Sequence, residues 1–482
     1  MSGYLWTAGD AAAATSGNAR GGWRGVTGIS IDTRSMAPGE LFVALAGENR
    51  DGHDFVAQAL DAGAGAAMVS HVPDGVAEGA PLLVVDDTLE ALGALGAAAR
   101  ARSAARVIAV TGSVGKTSTK DMLRAMLGCQ GRVHAAERSF NNHWGVPLTL
   151  ARMPADTEFA VIEMGMNHSG EIEPLSRLAR PHVALVTTIE AVHLAAFGSV
   201  GEIADAKAEV FAGLEPGGVA ILNRDNPHFD RLAAQVGEAG ILGFGTEDCD
   251  LVLEQAAVCE LATVARARIA GQPITFKLGT PGVHLALNAV AALGAVIAVG
   301  GDLARAGLAI ADWAPPEGRG LHWRIELGPA GIDGEITLID ESYNANPASM
   351  RAALAVLAAS SVTDDIGRVA RGRRIAFLGD MLELGPTENE LHVGLAGLGE
   401  LDGIDSVHLA GPRMRGLHDA LPASKRGEWF EDSDKLAHRA RRMVDAGDVC
   451  MVKGSLGMAM RRVVDEIKAL GSARDVRVRD EE

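Results

Sequence analysis

The sequence predicts an α/β protein of three domains, and three observations lead to this prediction. The chain of 482 residues is roughly three times as long as an average single domain. Short β-branched apolar runs alternate with helix-favouring segments, as in sheets whose parallel strands are joined by helices. Residues 106–120 follow the order strand, glycine turn, helix, which is how a phosphate-binding loop is built. We therefore expect a small α/β domain at 1–104, a central P-loop ATPase domain with a parallel sheet at 105–316, and a Rossmann-like, doubly wound domain at 317–482.

The overall composition excludes several classes of protein. Lys and Arg number 44 against 62 Asp and Glu, and a net charge of −18 argues against a general nucleic-acid binder, which needs a basic face. The longest apolar stretch, 285–299, contains Asn288 and is too short to cross a bilayer, and the first residues lack a signal-peptide pattern. The four cysteines form no C-x-x-C pair, so neither a zinc site nor a disulfide framework is indicated. We expect a cytoplasmic, monomeric protein with no nucleic-acid partner and no membrane insertion.

The first section alternates strands and helices on a small scale. Its patterns predict strands at 41–45, 66–69 and 82–85 and helices at 54–62 and 88–102. Asp32, Thr33 and Arg34 stand near a predicted strand end, where a charge-assisted set of hydrogen bonds would suit a sugar nucleotide. A surface turn with an Asp–Arg ion pair explains the same residues equally well.

The second section opens with the phosphate-binding loop. The run 107–110 predicts a strand, Gly112 and Gly115 allow backbone N–H groups to approach phosphates, and the helix from Lys116 adds the positive end of its dipole. In this pattern Lys116 reaches the terminal phosphates and Thr117 binds Mg²⁺. The loop is a shortened form, T-G-x-x-G-K-T, because the usual pattern has one more glycine on its N-terminal side. The alternative is a strand–helix turn without a ligand.

Polar side chains stand at or after the ends of further predicted strands, at 159–164 and 183–187. Glu163 ends the first strand and His193 follows the second, at the sheet edge where α/β proteins bind ligands. Mg²⁺ prefers oxygen ligands and keeps water and substrate phosphates around itself; Glu163 supplies a carboxylate and His193 an imidazole. Each residue has a structural alternative, which is an ion pair for Glu163, an ordinary loop position for His193 and a solvated helix face for Lys207.

The third section begins near the proline pair at 315–316. It contains predicted strands at 336–340, 374–379, 407–410 and 449–452. Each strand ends in or is followed by a polar residue or a glycine, among them Asp340 and Lys453, as expected for a second doubly wound sheet. The tail at 474–482 alternates in charge, and we expect it to be solvated.

Taken together, these motifs resemble the Mur ligase family over nearly the whole chain. The resemblance lies in the stretches 32–34, 38–45, 51–53, 111–117, 141–142, 145–150, 163–168, 206–209, 343–347, 379–385 and 453–455. Tyr-Asn-Ala-Asn-Pro at 343–347 and Gly-Asp-Met-Leu-Glu-Leu-Gly at 379–385 are typical of members that add D-Ala-D-Ala rather than another amino acid.

The resemblance implies an ATP-dependent amide ligase of peptidoglycan precursor synthesis. Its substrates would be UDP-MurNAc-tripeptide and D-Ala-D-Ala. ATP would phosphorylate the terminal carboxylate of the tripeptide, and the amine of D-Ala-D-Ala would displace phosphate through a tetrahedral intermediate. The cofactors would be ATP and two Mg²⁺ ions, and Lys207 matches a family lysine that becomes carbamylated. The sequence leaves open whether the third residue of the tripeptide is meso-diaminopimelate or lysine.

The resemblance also assigns roles to single residues. The catalytic residues would be Lys116, Lys207, His193 and Arg319. The nucleotide-binding residues would be Gly112, Ser113, Gly115, Lys116, Thr117, Ser118, Asn288, Arg319, Asp340 and Tyr343. The Mg²⁺ ligands would be Thr117, Glu163, His193 and Lys207. The residues that bind the two substrates would be Asp32, Thr33, Arg34, Asn142, Asn346 and Lys453.

Several positions depart from the family pattern, although none is assigned to phosphate or metal chemistry. They are Val114, Arg138, Ser139, Thr188, Leu285, Glu341 and Leu456. Two other functions stay open, namely another Mur-type or folylpolyglutamate-synthase-like ligase, and a nucleotide-regulated binding protein that has lost catalysis. The Asp-Thr-Arg motif argues against the synthase, and the intact Lys116, Glu163, His193 and Lys207 argue against lost catalysis.

Overall fold

The computed structural model describes residues 3–47, 50–192, 194–259, 261–366, 368 and 370–476. Its strands form a five-stranded, a nine-stranded and a seven-stranded sheet, which follow one another along the chain, and a separate two-stranded ribbon. Helices join most of the parallel strands, so the predicted α/β class is confirmed. Within the described ranges, no helix is both long and apolar enough to span a membrane. The exact domain limits at 104/105 and 316/317 stay predictions.

The N-terminal part contains seven short strands and three helices. The strands are β1 (Trp6–Thr7), β2 (Asn18–Arg20), β3 (Gly25–Val26), β4 (Ile29–Ser30), β5 (Leu41–Val43), β6 (Ala66–Val69) and β7 (Leu82–Val84). The helices are α1 (Ala8–Thr15), α2 (Val56–Asp61) and α3 (Thr88–Arg102). Strands β4 to β7 pair in parallel, β2 joins β7 antiparallel, and β1 pairs with β3. The predicted helix at 88–102 is confirmed, and it begins after Asp87 because that carboxylate accepts hydrogen bonds from two N–H groups of the first turn.

The central part is built on the nine-stranded sheet. Its strands are β8 (Arg106–Thr111), β9 (Val133–Ala135), β10 (Phe159–Glu163), β11 (Val183–Val186), β12 (Val219–Asn223), β13 (Gly240–Gly245), β14 (Leu251–Val258), β15 (Thr263–Ile269) and β16 (Gln272–Leu278). Its helices are α4 (Lys116–Gly128), α5 (Gly145–Ala151), α6 (Ile172–Ala179), α7 (Val200–Ala208), α8 (Phe229–Ala233), α9 (Val283–Ala298) and α10 (Leu303–Ala309). The strand order is β16-β15-β14-β13-β12-β11-β8-β10-β9.

The prediction of a parallel sheet is correct for the strands from β8 to β14 but incomplete. Strands β14, β15 and β16 extend the sheet with antiparallel pairs. Along β15, buried and exposed residues alternate, because only one face of this extension is covered. The parallel strands β8, β10 and β11 at the centre of the sheet are buried on both faces. In β8, Ile108 and Val110 pack under α4 and α9, whereas Val107 and Ala109 pack under α5, α6 and α7.

The C-terminal part contains seven strands in the order β21-β20-β19-β22-β18-β17-β23. They are β17 (Leu321–Glu326), β18 (Glu335–Glu341), β19 (Arg374–Gly379), β20 (Ser406–Ala410), β21 (Arg426–Phe430), β22 (Val449–Lys453) and β23 (Ser472–Asp475). Its helices are α11 (Pro347–Ala359), α12 (Glu388–Gly394), α13 (Met414–Ala420), α14 (Ser433–Ala440) and α15 (Arg461–Lys468). Strands β18 to β22 pair in parallel, and β17 and β23 are antiparallel.

The tail that is predicted to be solvated begins at residue 474, where Arg474 is exposed as predicted, with 56% of its side chain accessible, and Asp475 is half-buried. Arg474 and Asp475 belong to β23, which pairs with β17 and protects that strand's open edge. Residues 477–482 lie outside the described residues.

The N-terminal part is attached to the central part by direct hydrogen bonds. The indole Nε1 of Trp6 donates to the carbonyl oxygen of Ala151 at 2.9 Å, and Nε of Arg152 donates to that of Ile29 at 2.6 Å. Ala151 is the last residue of α5 and Arg152 follows it, whereas Trp6 lies in β1 and Ile29 in β4. These bonds fix the first sheet beside the helix that follows the segment 136–142.

Candidate active site

A cavity of about 1150 Å³ lies at the carboxyl ends of the central strands and is shared with the C-terminal part. It brings together predicted site residues from both parts. These are Ser113, Gly115, Lys116, Thr117, Ser118, Asn142, Glu163, Asn288, Arg319, Tyr343, Asn346 and Lys453. The predicted residues that do not line it are Asp32, Thr33, Arg34, Gly112, Lys207 and Asp340. His193, predicted as a metal ligand, lies outside the described residues.

The loop between β8 and α4 has the geometry of an anion-binding loop. Gly112 has φ of +139°, and a Cβ there would lie 1.9 Å from Oγ1 of Thr187. Gly115 has φ of +87°, and a Cβ there would lie 2.7 Å from Nδ2 of Asn288. Only glycine fits at these two positions, so the requirement for both glycines in the motif has a steric basis.

Lys116 is folded over this loop. Its Nζ donates to the carbonyl oxygens of Gly112 at 2.7 Å and Ser113 at 3.4 Å. Burial lowers the pKa of Lys116, the carboxylate of Glu163 opposes this shift, and the guanidinium of Arg319 adds to it. A bound phosphate would place a negative charge beside Lys116 and so favour its charged form.

A second group of side chains lies at the N-terminus of α4. The hydroxyl of Thr117 donates to Oε1 of Glu163 at 3.1 Å, and Nδ2 of Asn141 donates to the same oxygen at 2.8 Å. Oε2 of Glu163 is buried and has no hydrogen-bond partner among the described residues. The ammonium of Lys120 lies 3.9 Å from it and donates to the carbonyl oxygen of Ala136 at 2.8 Å.

The oxygens of Thr117 and Glu163 suit Mg²⁺. A hydroxyl beside a carboxylate oxygen without a hydrogen-bond partner, at the start of a phosphate-binding loop, is the small set of protein ligands that this ion uses. Within the described ranges, no group of three or more His, Cys, Asp or Glu residues could hold a metal alone. A cation here would complete its shell with water and phosphate oxygens.

Lys207 lies on α7 and is only 1% exposed. Helix α7 begins at Val200 because Oγ of Ser199 accepts a hydrogen bond from the N–H of Glu202 at 3.2 Å. Burial lowers the pKa of Lys207 well below its ordinary value, and the like charge of Lys116 lowers it further. The solvated position considered for this lysine is therefore wrong, and the residue is a buried amine near the phosphate-binding lysine.

The C-terminal part contributes Arg319 to the cavity. Its guanidinium carbon lies 4.0 Å from the ring centroid of Tyr343, and its Nη2 donates to Oγ of Ser139 at 3.0 Å. Asp340 lies behind it, 1% exposed, and accepts hydrogen bonds from the N–H groups of Gly318 and Ser342 at 3.0 and 3.1 Å. Asp340 thus shapes the turn before Arg319, and its direct contact with a nucleotide stays a prediction.

Comparison with known proteins assigns this architecture to a family. Models of the Mur ligase family match residues 25–100 ("Mur ligase family, catalytic domain"), 110–296 ("Mur ligase middle domain") and 323–456 ("Mur ligase, glutamate ligase domain"). The UDP-N-acetylmuramoyl-tripeptide–D-alanyl-D-alanine ligase of Escherichia coli (strain K12) is 37% identical over 450 residues, which cover 92% of this chain and 94% of the relative. The chain belongs to the Mur ligase family.

Further relatives agree with this assignment. The ligase of the same name from Bacillus subtilis (strain 168) is 36% identical over 452 residues, covering 92% of this Mur ligase and 93% of the relative. A crystal structure of MurF from Acinetobacter baumannii superposes with a TM-score of 0.81 at 28% identity and covers 96% of this chain and 99% of its own. The family predicted from the motifs is therefore confirmed.

Two predicted substrate residues of this Mur ligase have structural partners on the cavity wall. Asn346 is 4% exposed, and its Oδ1 caps α11 by accepting the N–H of Ser349 at 2.9 Å. Nζ of Lys453 donates to Oε2 of Glu341 at 2.9 Å and to the carbonyl oxygen of Asn344 at 3.0 Å. Lys453 thus holds the segment after β18 in place, and its contact with D-Ala-D-Ala stays a prediction.

The predicted uridine-binding residues of the Mur ligase lie apart from the cavity. Asp32 accepts hydrogen bonds from Nε and Nη2 of Arg34 at 2.9 and 2.7 Å, and this bond with Arg34 lowers the pKa of Asp32 to about 2. The Arg34 side chain is 82% exposed. The structure thus contains the surface Asp–Arg pair of the alternative interpretation, and binding of a sugar nucleotide by these residues stays a prediction. Asn142 does line the cavity, and its Oδ1 accepts from the N–H of Gly145 at 2.9 Å.

Three residues in the site received no role from the sequence. Lys120 and Asn141 contact Glu163, and Ser139 contacts both Thr117 and Arg319. Asn141 stands in one of the motifs shared with the family. Ser139 was noted only as a departure from the family pattern, since its two contacts depend on elements far apart in the chain.

Proposed function

We propose that this Mur ligase joins D-Ala-D-Ala to UDP-MurNAc-tripeptide with hydrolysis of ATP to ADP and phosphate, in peptidoglycan precursor synthesis. The observation that carries the proposal is the composition of the cavity, in which a phosphate-binding loop from the central sheet faces Arg319 from the C-terminal part. The names of relatives that match along nine-tenths of the chain support the choice of substrates.

The reaction explains why the site lies between the central and the C-terminal parts of the protein. A carboxylate is a poor electrophile, so its oxygen must first take the γ-phosphoryl group of ATP. The amine of D-Ala-D-Ala then attacks the acyl carbon, loses a proton, and phosphate leaves with the C–O bond electrons. Catalysis depends on holding the reactants in line and keeping water out, which a cleft between two parts of the chain achieves.

The residues of the loop and the arginine divide the work on ATP. Lys116 binds the terminal phosphates, and the backbone N–H groups from Val114 to Ser118 bind the oxygens within their reach, whereas that of Ser113 donates to the carbonyl oxygen of Thr188 at 2.8 Å. Arg319, a planar cation, approaches the γ-phosphate from the other side. Thr117 and Glu163 hold Mg²⁺, which neutralises developing phosphate charge when bound. Asn288, Tyr343 and Asp340 bind or position the rest of the nucleotide.

A second Mg²⁺ ion, bound by Glu163, His193 and a carbamylated Lys207, forms part of the proposal. The burial and lowered pKa of Lys207 favour the neutral amine, and only that form reacts with CO₂. The product carries a negative charge, which would be balanced by the neighbouring Lys116 and a cation.

The substrate residues complete the proposal. Asp32, Thr33 and Arg34 bind the uridine diphosphate end, Asn142 binds the muramoyl or diphosphate part, and Asn346 and Lys453 bind D-Ala-D-Ala. We also propose that the enzyme is a cytoplasmic monomer, which light scattering on the purified protein and cell fractionation would test.

The test is phosphate release from ATP in the presence of each substrate separately and of both together. Release should require UDP-MurNAc-tripeptide and D-Ala-D-Ala at once, and mass spectrometry should detect the pentapeptide product. ATP hydrolysis without product, or no release with both substrates, would refute the assignment. Parallel assays with the lysine and meso-diaminopimelate forms of the tripeptide would establish which one is used.

A further inference from the structure

A chain of hydrogen bonds crosses the cavity and connects two parts of the protein. Nη2 of Arg319 donates to Oγ of Ser139 at 3.0 Å, and Oγ of Ser139 lies 3.1 Å from Oγ1 of Thr117. The Thr117 hydroxyl donates to Oε1 of Glu163 at 3.1 Å. Ser139 is therefore the only described residue that hydrogen-bonds to both the loop threonine and the arginine.

The direction of each bond follows from the number of protons available. A guanidinium only donates, a carboxylate only accepts, and a hydroxyl has one proton to give. Because the proton of Thr117 goes to Glu163, the bond between the two hydroxyls is donated by Ser139. Ser139 thus accepts from Arg319 and donates to Thr117, and both capacities of its hydroxyl are used.

The segment that contains Ser139 is fixed by hydrogen bonds to its backbone from a buried lysine. The fully buried ammonium of Lys120 donates to the carbonyl oxygens of Ala136 at 2.8 Å and Arg138 at 3.4 Å. Next along the chain, Nδ2 of Asn141 donates to Glu163 at 2.8 Å. Ser139 therefore has a defined position relative to the carboxylate and the threonine, and it does not depend on Arg319 for that position.

We propose that Ser139 is a positioning residue that holds Arg319 at the phosphate-binding loop before the nucleotide binds. Tyr343 supports one face of the guanidinium and Ser139 accepts one of its five N–H donors, so less rotamer freedom is lost when the remaining donors bind a phosphate. Thr117 has two acceptor lone pairs, so it can bind a cation while Ser139 still donates to it. The bond from Arg319 to Ser139 is kept when the other N–H groups of the guanidinium bind the phosphate, so its loss should weaken nucleotide binding.

This inference rests on the proposed function only in treating the cavity as a nucleotide site. Its test is therefore the affinity for a non-hydrolysable ATP analogue with Mg²⁺, measured by calorimetry without either peptide substrate. Ser139→Ala should raise Kd about 3- to 10-fold, which is at or below the contribution of one hydrogen bond to a charged group. Ser139→Thr, which keeps the hydroxyl, should stay within about 2-fold of wild type.

The decisive measurement is a double-mutant cycle. If Ser139 acts through Arg319, then Ser139→Ala should raise Kd no further in an Arg319→Ala background, because the coupled effects are not additive. In the amide-forming assay, Ser139→Ala should raise KM for ATP more than it lowers kcat. Ser472→Ala, on the exposed edge strand β23, is the matched serine control and should have the Kd of wild type.

Two results would overturn the proposal. One is a Kd for Ser139→Ala within 2-fold of wild type, and the other is additive effects of Ser139→Ala and Arg319→Ala. The melting temperature of each variant distinguishes a local effect from misfolding, and Ser139→Thr keeps the test valid if Ser139→Ala folds poorly. A wild-type protein that binds the analogue but makes no amide product would refute the proposed function and leave this inference standing.

Discussion

Replacing Lys207 by methionine should make the protein more stable while abolishing ligase activity. The lysine side chain is 1% exposed, and among the described residues it has no ion pair with a carboxylate. Burial and the charge of Lys116 both lower its pKa. Methionine has a similar length, fills the same space and needs no solvent or counter-charge.

The sign of the effect follows from proton linkage. The pKa of Lys207 is lowered below 10.5 in the folded state, so between the two pKa values the unfolded chain binds the extra proton. Wild-type stability therefore rises with pH over that interval. At pH values below the interval, each unit by which the pKa is lowered reduces the stability by about 1.4 kcal/mol. Burying a polar group without a partner costs about 1–3 kcal/mol in protein mutants, so we expect Lys207→Met to gain stability of this order at pH 7, which is several degrees in melting temperature.

Lys120 provides a matched control of opposite sign. It is equally buried, but its ammonium lies 3.6 Å from Oδ1 of Asp121 and 3.9 Å from Oε2 of Glu163 and donates to the Ala136 carbonyl oxygen. Lys120→Met leaves these groups without their cation. It should therefore lose about 3 kcal/mol, as expected for a buried pair from which one member is removed.

The assay is thermal unfolding followed by circular dichroism in CO₂-free buffer from pH 7 to 9, with and without added bicarbonate, together with product formation. Bicarbonate should raise the melting temperature of wild type, since a carbamate on Lys207 is an anion beside Lys116. It should have no effect on Lys207→Met. A melting temperature of Lys207→Met at or below that of wild type would refute the reasoning, as would retained activity.

Three further predictions concern the loop, the metal ligand and pH. Glu163→Gln should weaken binding of an ATP analogue at least about 10-fold with Mg²⁺ but less than 2-fold without it, by calorimetry. Equal losses in both conditions would argue against a metal ligand. Gly112→Ala should abolish this binding, because its Cβ would lie 1.9 Å from Oγ1 of Thr187. The control is Gly128→Ala, whose Cβ would have no heavy atom within 4 Å. This variant should bind normally, and its free energy of unfolding should rise by up to about 1 kcal/mol. Burial lowers the pKa of His408 to about 4 from 6.5, so the unfolded chain takes up a proton between these values and stability should fall by about 3 kcal/mol as pH drops through them. His408→Gln should reduce this slope in urea unfolding from pH 7 to 4, and an unchanged slope would contradict it.

Local pattern was sufficient for most of the parallel strands and for the phosphate-binding loop. The strand predicted at 374–379 and the helix predicted at 88–102 are correct to the residue. Such elements are buried on a regular face and have clear end signals, as Asp87 does for α3. The antiparallel extension β14–β16 was missed, although β15 has a clear alternation of buried and exposed residues.

Residues whose environment comes from distant parts of the chain were harder to predict. The predicted contact of Lys453 with a substrate stays a prediction, but its ion pair with Glu341, at 2.9 Å and more than a hundred residues away, could not be read from local pattern. Lys207 was open to interpretation as a solvated helix residue, and its burial became evident only from the packing around α7. The sequence pattern of a single helix does not indicate which other elements of the protein pack against it.

The sequence by itself determined the class of fold, the order of the three sheets and the phosphate-binding loop, because Gly112, Gly115, Lys116 and Thr117 act through local backbone geometry. The family resemblance implies that Arg319 binds the nucleotide, but only the tertiary structure decided that Ser139 connects Arg319 to this loop. Their contacts join a loop after β9 to a turn before β17, and each is set by how sheets pack, not by neighbours in the chain. Charge and hydrogen bonding at the site therefore depend on the relative placement of the central and C-terminal parts.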